Sequence, residues 1–103
     1  MDYCVIQTTT DDKNVALTIS KILLQNNLAA CIQSYEIESS YRWQGKIENS
    51  KEILLNIKTK MSLYKEIEKV IKENHNYEVP EIIVLPISDG FRGYLDWIDK
   101  EVK

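Results

Sequence analysis

Residues 29–59, AACIQSYEIESSYRWQGKIENSKEILLNIKT, decide the fold of this chain. From Tyr35 onward the odd positions of its first half are mostly aromatic or apolar, and the even positions are polar. This period of two is typical of a strand with one packed face. Gln44 and Gly45 suit a two-residue turn, because glycine readily adopts the positive φ that such turns require. The stretch therefore predicts a long hairpin with strands over residues 29–43 and 46–59.

The predicted hairpin is long for the chain that carries it. Strands usually run for about five or six residues, and the chain has 103 residues in all. The outer part of the hairpin carries Tyr35, Ile37, Tyr41 and Trp43, an apolar surface that one small domain cannot cover. Because a projecting apolar ribbon usually has a partner that buries it, we expect a homo-oligomer.

Length and charge limit the class of protein. A chain of this length predicts one domain spanning residues 1–103. The net charge is −3, without the basic patch that nucleic acid or an anionic membrane would attract. The sequence has no signal-peptide pattern and no apolar run near the roughly 20 residues of a membrane span. We expect a cytoplasmic protein without nucleic-acid or membrane partners, in which Cys4 and Cys31 are free thiols.

Apolar spacing outside the hairpin supplies the other elements. It predicts strands over residues 3–10 and 82–87, and helices with apolar stripes starting at Val15 and Leu63. A C-terminal helix follows. The fold class is α+β, a ferredoxin-like split βαβ of order βαββαβ plus a C-terminal helix. Its antiparallel sheet contains the long hairpin and carries both of the first two helices on one face.

Three local features refine this outline. Asn49 and Ser50 interrupt the apolar pattern of the return strand, which predicts a bulge or a kink there. Ser62 is placed to cap the second helix. Pro86 has no backbone N–H to donate, so the last strand should lie at an edge or end of the sheet.

Sequence motifs for catalysis are missing from the chain. It has no GxGxxG and no P-loop, and neither cysteine has a recognisable catalytic partner nearby. The strand over residues 53–59 lacks the aromatic side chains with which RNA-recognition domains stack bases. We expect a non-enzymatic protein without an organic cofactor.

His75 is the only histidine and the candidate metal ligand. A neutral imidazole is a good ligand for borderline metals such as Cu²⁺. Tight sites gather three or four ligands, and no cysteine or second histidine lies beside His75. Another loop or a symmetry-related chain would have to complete the site.

Two further segments each admit two interpretations. Glu78 and Glu81, separated by two residues, either face a cleft together or lie solvated on a loop. At the hairpin tip, the aromatic side chains either only pack against another subunit, or Arg42 and Lys46 in addition bind an anionic group in a cleft between subunits.

Four ordered motifs resemble the CutA divalent-cation-tolerance proteins. Residues 28–32 (LAACI) are similar to the start of that family's second strand, and residues 41–46 (YRWQGK) to its hairpin tip. Residues 58–59 (KT) match the end of its third strand. Residues 75–82 (HNYEVPEI) resemble its most recognisable segment, with Asn76 where the family has proline.

The resemblance implies a homotrimer with interleaved hairpins that binds Cu²⁺ or another divalent cation. It also implies a likeness to PII signalling proteins, and hence an alternative function in which a small anionic effector binds in clefts between subunits. The candidate residues of such a cleft are Arg42, Trp43, Lys46, Lys58, Tyr77, Glu78 and Glu81.

Overall fold

The computed structural model describes residues 2–103. Its strands are β1 (Tyr3–Thr10), β2 (Cys31–Trp43), β3 (Lys46–Lys60) and β4 (Ile82–Pro86). Its helices are α1 (Lys13–Gln25), α2 (Tyr64–Asn74) and α3 (Arg92–Glu101), with a 3-10 turn (Met61–Leu63) before α2. The α+β class predicted from the sequence is confirmed. None of the described helices has the length and apolar character needed to cross a membrane.

The four strands form one antiparallel sheet in the order β2-β3-β1-β4. β4 therefore lies at one edge and β2 at the other. The edge position predicted for the strand that contains Pro86 is confirmed, and it suits a residue that cannot donate to a neighbouring strand.

Both α1 and α2 cover the same face of the sheet, as predicted. The core between them buries side chains that alternate along β1 and β3 and recur along the helices. They include Cys4, Ile6, Ile19, Leu23, Leu55, Ile57, Ile67 and Ile71. Burial of each large aliphatic side chain contributes about 1.5–3 kcal/mol. α3 packs on the opposite face, where Leu95 and Ile98 contact Tyr3.

The residues at the ends of α1 and α2 show how these helices are capped. Asp12 caps α1, because its carboxylate accepts hydrogen bonds from the backbone N–H groups of Asn14 and Val15 at 2.8 and 3.3 Å. Asn27 follows α1 with a positive φ of 56°. The prediction that Ser62 caps the second helix is wrong. Ser62 lies inside the 3-10 turn, which moves the start of α2 to Tyr64, and no side chain caps that helix.

The pairing of β2 with β3 is continuous from Cys31 to Trp43. The predicted bulge at Asn49 and Ser50 is therefore wrong, since these residues pair directly with Ser40 and Ser39. The Ser40 hydroxyl donates to Asn49 Oδ1 at 2.6 Å. A polar cross-strand pair replaces the apolar pattern here without changing the register.

Half of the hairpin extends beyond the sheet. β1 pairs with β3 only over residues 53–60, so residues 37–52 form a two-stranded structure that we call the projecting ribbon. It gives the molecule a longest dimension of 44 Å against 25 and 21 Å for the others. Isolated two-stranded hairpins are marginally stable in water. The projecting ribbon therefore depends on contacts beyond its own backbone pairing.

The turn of the hairpin places a side chain in an unfavourable backbone region. Gln44 and Gly45 have φ values of 51° and 78°. Two successive positive values match the mirror-image turns of tight hairpins, in which Asn-Gly is favoured because asparagine tolerates the left-handed region better than longer side chains.

We expect Gln44→Asn to raise the free energy of unfolding by roughly 0.5 kcal/mol, measured by urea denaturation. Gly45→Ala is the matched control. A Cβ at Gly45 would meet no atom within 4 Å, so its predicted loss of about 1 kcal/mol is purely conformational. An unchanged midpoint for Gln44→Asn would contradict this explanation.

Two threonines of β1 have buried hydroxyl groups that differ in their hydrogen bonding. Thr8 is fully buried, and its Oγ1 forms no hydrogen bond with any described residue. Thr10 is equally buried, but its hydroxyl donates to Asn76 Oδ1 at 2.6 Å and accepts from the Asp12 N–H at 3.1 Å. A buried polar group without a partner costs stability, whereas a paired one contributes to it.

Thr8→Val should therefore raise the free energy of unfolding by about 1 kcal/mol, and Thr10→Val should lower it by about 1–3 kcal/mol. The two variants make the same isosteric change two residues apart on the same strand. Differential scanning calorimetry should show melting temperatures that move in opposite directions. A lower melting temperature for Thr8→Val would show that its hydroxyl has a partner.

Candidate functional site

A cavity of about 630 Å³ lies between the projecting ribbon and the loop that joins α2 to β4. We call it the ribbon cavity. The ribbon contributes Ser39, Ser40, Tyr41, Arg42, Trp43 and Glu52. The loop contributes Tyr77, Glu78, Val79 and Glu81, and β1 contributes Thr9. Its volume falls within the range of about 300–1,000 Å³ that is common for small-molecule sites.

The structure brings together most of the cleft residues predicted from the sequence. Those that line the ribbon cavity are Arg42, Trp43, Tyr77, Glu78 and Glu81. Lys46 and Lys58 do not line it. Lys46 pairs with Trp43 beside the hairpin turn, and the Nζ of Lys58 lies 5.6 Å from the centroid of the Tyr94 ring. Both lysines predicted to bind an anionic group are thus absent from the cavity wall.

Glu52 is the charged member of the site that sequence reasoning missed. It is only 7% exposed, and the Tyr77 hydroxyl donates to its Oε2 at 2.8 Å. Burial, followed by this hydrogen bond, raises the pKa of Tyr77 well above the ordinary value, so the phenol remains a donor. The sequence feature that could have identified Glu52 is the period of two in β3. It places Glu52 on the same face of the strand as the buried Leu54.

The charges of the ribbon cavity favour a positively charged ligand. Glu52, Glu78 and Glu81 supply three carboxylates, and Arg42 is the single basic residue in the lining. An anion would meet a net negative wall, whereas a cation would be attracted to it.

His75 holds the loop against the end of β1. Its Nδ1 accepts a hydrogen bond from the Tyr77 N–H at 2.9 Å, so its Nε2 carries the proton and donates to the Thr9 carbonyl oxygen at 2.8 Å. Both ring nitrogens are therefore engaged with the backbone. A metal ion would have to displace one of these bonds, and the role of His75 as a metal ligand stays a prediction.

Asn76 adds two side-chain contacts to this attachment. Its Oδ1 accepts from the Thr10 hydroxyl at 2.6 Å, and its amide donates to Asp11 Oδ1 at 2.8 Å. These bonds restrain the loop at position 76, where the family that the sequence resembles has proline. Together, His75 and Asn76 place Tyr77 where its hydroxyl reaches Glu52.

The described part of the chain does not by itself assemble a metal centre. No three histidine, cysteine, aspartate or glutamate side chains within residues 2–103 lie close enough to hold one ion. Cys4 and Cys31 are free thiols, as predicted. Burial raises the pKa of Cys4 to about 11, which keeps that thiol protonated at neutral pH. A site of three or four ligands would need side chains from another copy of the chain.

Comparison with known proteins gives consistent matches over most of the chain. The family model of the CutA1 divalent ion tolerance protein matches residues 4–101. The divalent-cation tolerance protein CutA of Thermus thermophilus is 41% identical over 95 residues, which cover 91% of this chain and 92% of that protein. The structure of the periplasmic divalent cation tolerance protein CutA from Archaeoglobus fulgidus superposes with a TM-score of 0.95 at 36% identity, over 98% of this chain and 99% of that one.

A plant relative extends the comparison. The chloroplastic protein CutA of Arabidopsis thaliana is 36% identical over 100 residues, which cover 96% of this chain and 55% of the plant protein. These relatives are described in different compartments, so a cytoplasmic location for this chain stays a prediction. The family match and the Thermus relative agree along nearly the whole sequence. The chain belongs to the CutA1 divalent ion tolerance protein family.

Proposed function

We propose that this protein is a non-enzymatic homotrimer that binds a divalent cation, with Cu²⁺ as the first candidate, at a site shared between chains. Membership of a family named for divalent ion tolerance is the observation that carries the proposal. The family name refers to ion tolerance and not to a reaction, which supports a binding function.

Exposed apolar surface supports assembly. We define the open sheet face by the side chains of Val5, Tyr35, Leu54, Ile83 and Leu85, which the β-ladder places opposite the α1–α2 layer. Tyr35 is 50% exposed, and Ile83 and Leu85 are each 44% exposed. A second copy would bury this face. The number three comes from the resemblance to the family, and the strand order β2-β3-β1-β4 supports the ferredoxin-like assignment within the proposal.

The acidic lining of the ribbon cavity supports a cation as the ligand. Glu78 and Glu81 are exposed carboxylates on the loop, available to a divalent ion that a neighbouring chain helps to coordinate. Carboxylate oxygens suit hard divalent ions, and imidazole suits Cu²⁺. His75 would join such a site only after releasing a backbone hydrogen bond.

The alternative of a PII-like sensor for an anionic effector gains no support from the charges or the comparisons. Lys46 and Lys58 lie outside the ribbon cavity, and three carboxylates face one arginine within it.

Ile37→Asp should dissociate the trimer, because it introduces a charge at a half-buried position of the projecting ribbon. Native mass spectrometry should show the three-chain mass for the parent protein and single chains for the variant. Leu17→Asp, the same kind of change on the exposed surface of α1, should remain trimeric. Persistence of the three-chain mass in Ile37→Asp would contradict an interface on the projecting ribbon.

Native mass spectrometry with Cu²⁺ tests the ligand. The parent should bind a discrete, saturable number of ions, and the double variant Glu78→Gln, Glu81→Gln should bind about tenfold more weakly. His75→Ala should reduce the bound number only if the imidazole coordinates the ion. Circular dichroism must accompany that variant, because the ring also supports the loop. Glu48→Gln, on the ribbon outside the cavity, is the control, and unsaturable adducts on the parent would contradict specific binding.

A further inference from the structure

Three amide side chains cross the open sheet face in one row, from β2 through β3 to β1. In the strand register, Gln33 pairs with Asn56, and Asn56 pairs with Gln7. Each lies two residues from an apolar member of the open sheet face on its own strand, so the alternation of the strand places it on that face. We call Gln33, Asn56 and Gln7 the amide row. An uncharged polar stripe thus divides the apolar side chains of the open sheet face.

The amide row forms one hydrogen bond within the chain and leaves other groups free. Gln7 Nε2 donates to Asn56 Oδ1 at 2.8 Å. Gln7 Oε1 and Asn56 Nδ2 form no hydrogen bond with any of residues 2–103, and neither does the side-chain amide of Gln33. If both bonded amides were turned over, one carbonyl oxygen and one NH₂ group would again be left free. The row therefore presents donors and acceptors together.

A partner that covers the open sheet face has to match these groups. Gln7 and Asn56 are half-buried within one chain, and Gln33 is exposed. A wholly apolar partner would remove water from the free amide groups without replacing its hydrogen bonds, which destabilises the contact. The partner must therefore supply donors and acceptors of its own at the row.

The lysines beside the row are engaged within the chain. Lys58 and Lys60 share the face of β3 that carries Asn56. The Nζ of Lys58 lies 5.6 Å from the centroid of the Tyr94 ring, and the Nζ of Lys60 lies 2.9 Å from Asp99 Oδ1. An acidic partner would have to displace these contacts with α3. A second copy of the chain instead brings the same uncharged amides, with an acceptor for each free donor.

We propose that the amide row is the element by which the chain selects other copies of itself, with Asn56 Nδ2 of one copy donating to Gln7 Oε1 of the next. In a closed ring each copy gives one donor and one acceptor, so no group of this pair is left over. Polar groups at an apolar interface can fix register and partner in this way. The inference rests on the proposed assembly of copies and adds the groups that make it selective.

Two charged variants test contact between copies. Asn56→Asp and Gln7→Lys each give every copy a like charge at the row, so each variant alone should lose most of the three-chain mass in native mass spectrometry. Refolded together, with one variant isotope-labelled, they should assemble again because opposite charges meet between copies. Pure three-chain masses should fall about fivefold below their statistical share. Full assembly of each variant alone with statistical mixing, or no recovery on mixing, would overturn the proposal.

Matched controls lie on α1, which covers the other face of the sheet. Asn14→Asp and Gln25→Lys make the same two changes at exposed positions near the ends of that helix. The charges suit the N- and C-terminal turns of a helix, so both variants should fold. Each should assemble like the parent, and the pair should mix statistically. Selective mixing of the control pair would show a general effect of charge and overturn the assignment to the amide row.

A neutral double variant replaces the charged ones if either fails to fold. Gln7→Met combined with Asn56→Leu removes both amides at nearly constant size, so this double variant should assemble by itself. Refolded with isotope-labelled parent, it should give mixed three-chain masses about fivefold below their statistical share, because an amide that faces an apolar side chain is left unpaired. Statistical mixing with the parent would overturn the proposal.

The mass of the parent protein separates this inference from the proposed function. A three-chain parent whose row variants assemble and mix statistically would remove the role of the amide row and leave the trimer standing. A parent with another number of chains, whose row variants still mix selectively, would do the reverse.

Discussion

The continuous antiparallel pairing of β2 with β3 is the constraint on which the rest of the structure depends. Because the register does not slip between Cys31 and Trp43, each alternate side chain keeps its face along the whole hairpin. At one end, β3 pairs with β1 and contributes Leu55 and Ile57 to the core. At the other, the same alternation presents Trp43 and Glu52 to the ribbon cavity. A shift of one residue would exchange these two sets of side chains at once.

The second requirement is a loop held close to the ribbon, and here the contacts are polar. His75 bonds to the Thr9 carbonyl oxygen, and Asn76 bonds to the Thr10 hydroxyl and to Asp11. All three bonds end at the last residues of β1 or at Asp11, in the short connection between β1 and α1. The first strand thus fixes the loop that completes the cavity. Hydrogen bonds between residues 65 or 66 positions apart carry out this task, and no local pattern in the sequence encodes them.

The contrast between the regular alternation of the hairpin and the long-range polar contacts of the loop explains which features could be predicted from the sequence. Alternation and helical periodicity identified the hairpin, the α1–α2 core and the edge strand with Pro86, because burial of apolar faces leaves a regular trace. Ser62 was assigned wrongly because it lies inside a 3-10 turn, and the helix begins only at Tyr64. Asn49 and Ser50 were assigned wrongly because a polar cross-strand bond tolerates the same register. Glu52 was missed because one carboxylate among alternating polar residues is ordinary until its burial is known.

The charge of the site, too, could not be predicted from residue types alone. Arg42, Lys46 and Lys58 lie in recognised motifs, and their types alone suggest an anion. Their positions change that inference, since Lys58 stands over the Tyr94 ring and Lys46 lies beside the turn, whereas Glu52 lines the cavity. Electrostatic attraction depends on distance and on exclusion of water, so a buried carboxylate at the wall outweighs lysines that lie elsewhere. The proposal of a cation as the ligand thus rests on which charges the hairpin register and the loop bring to one surface.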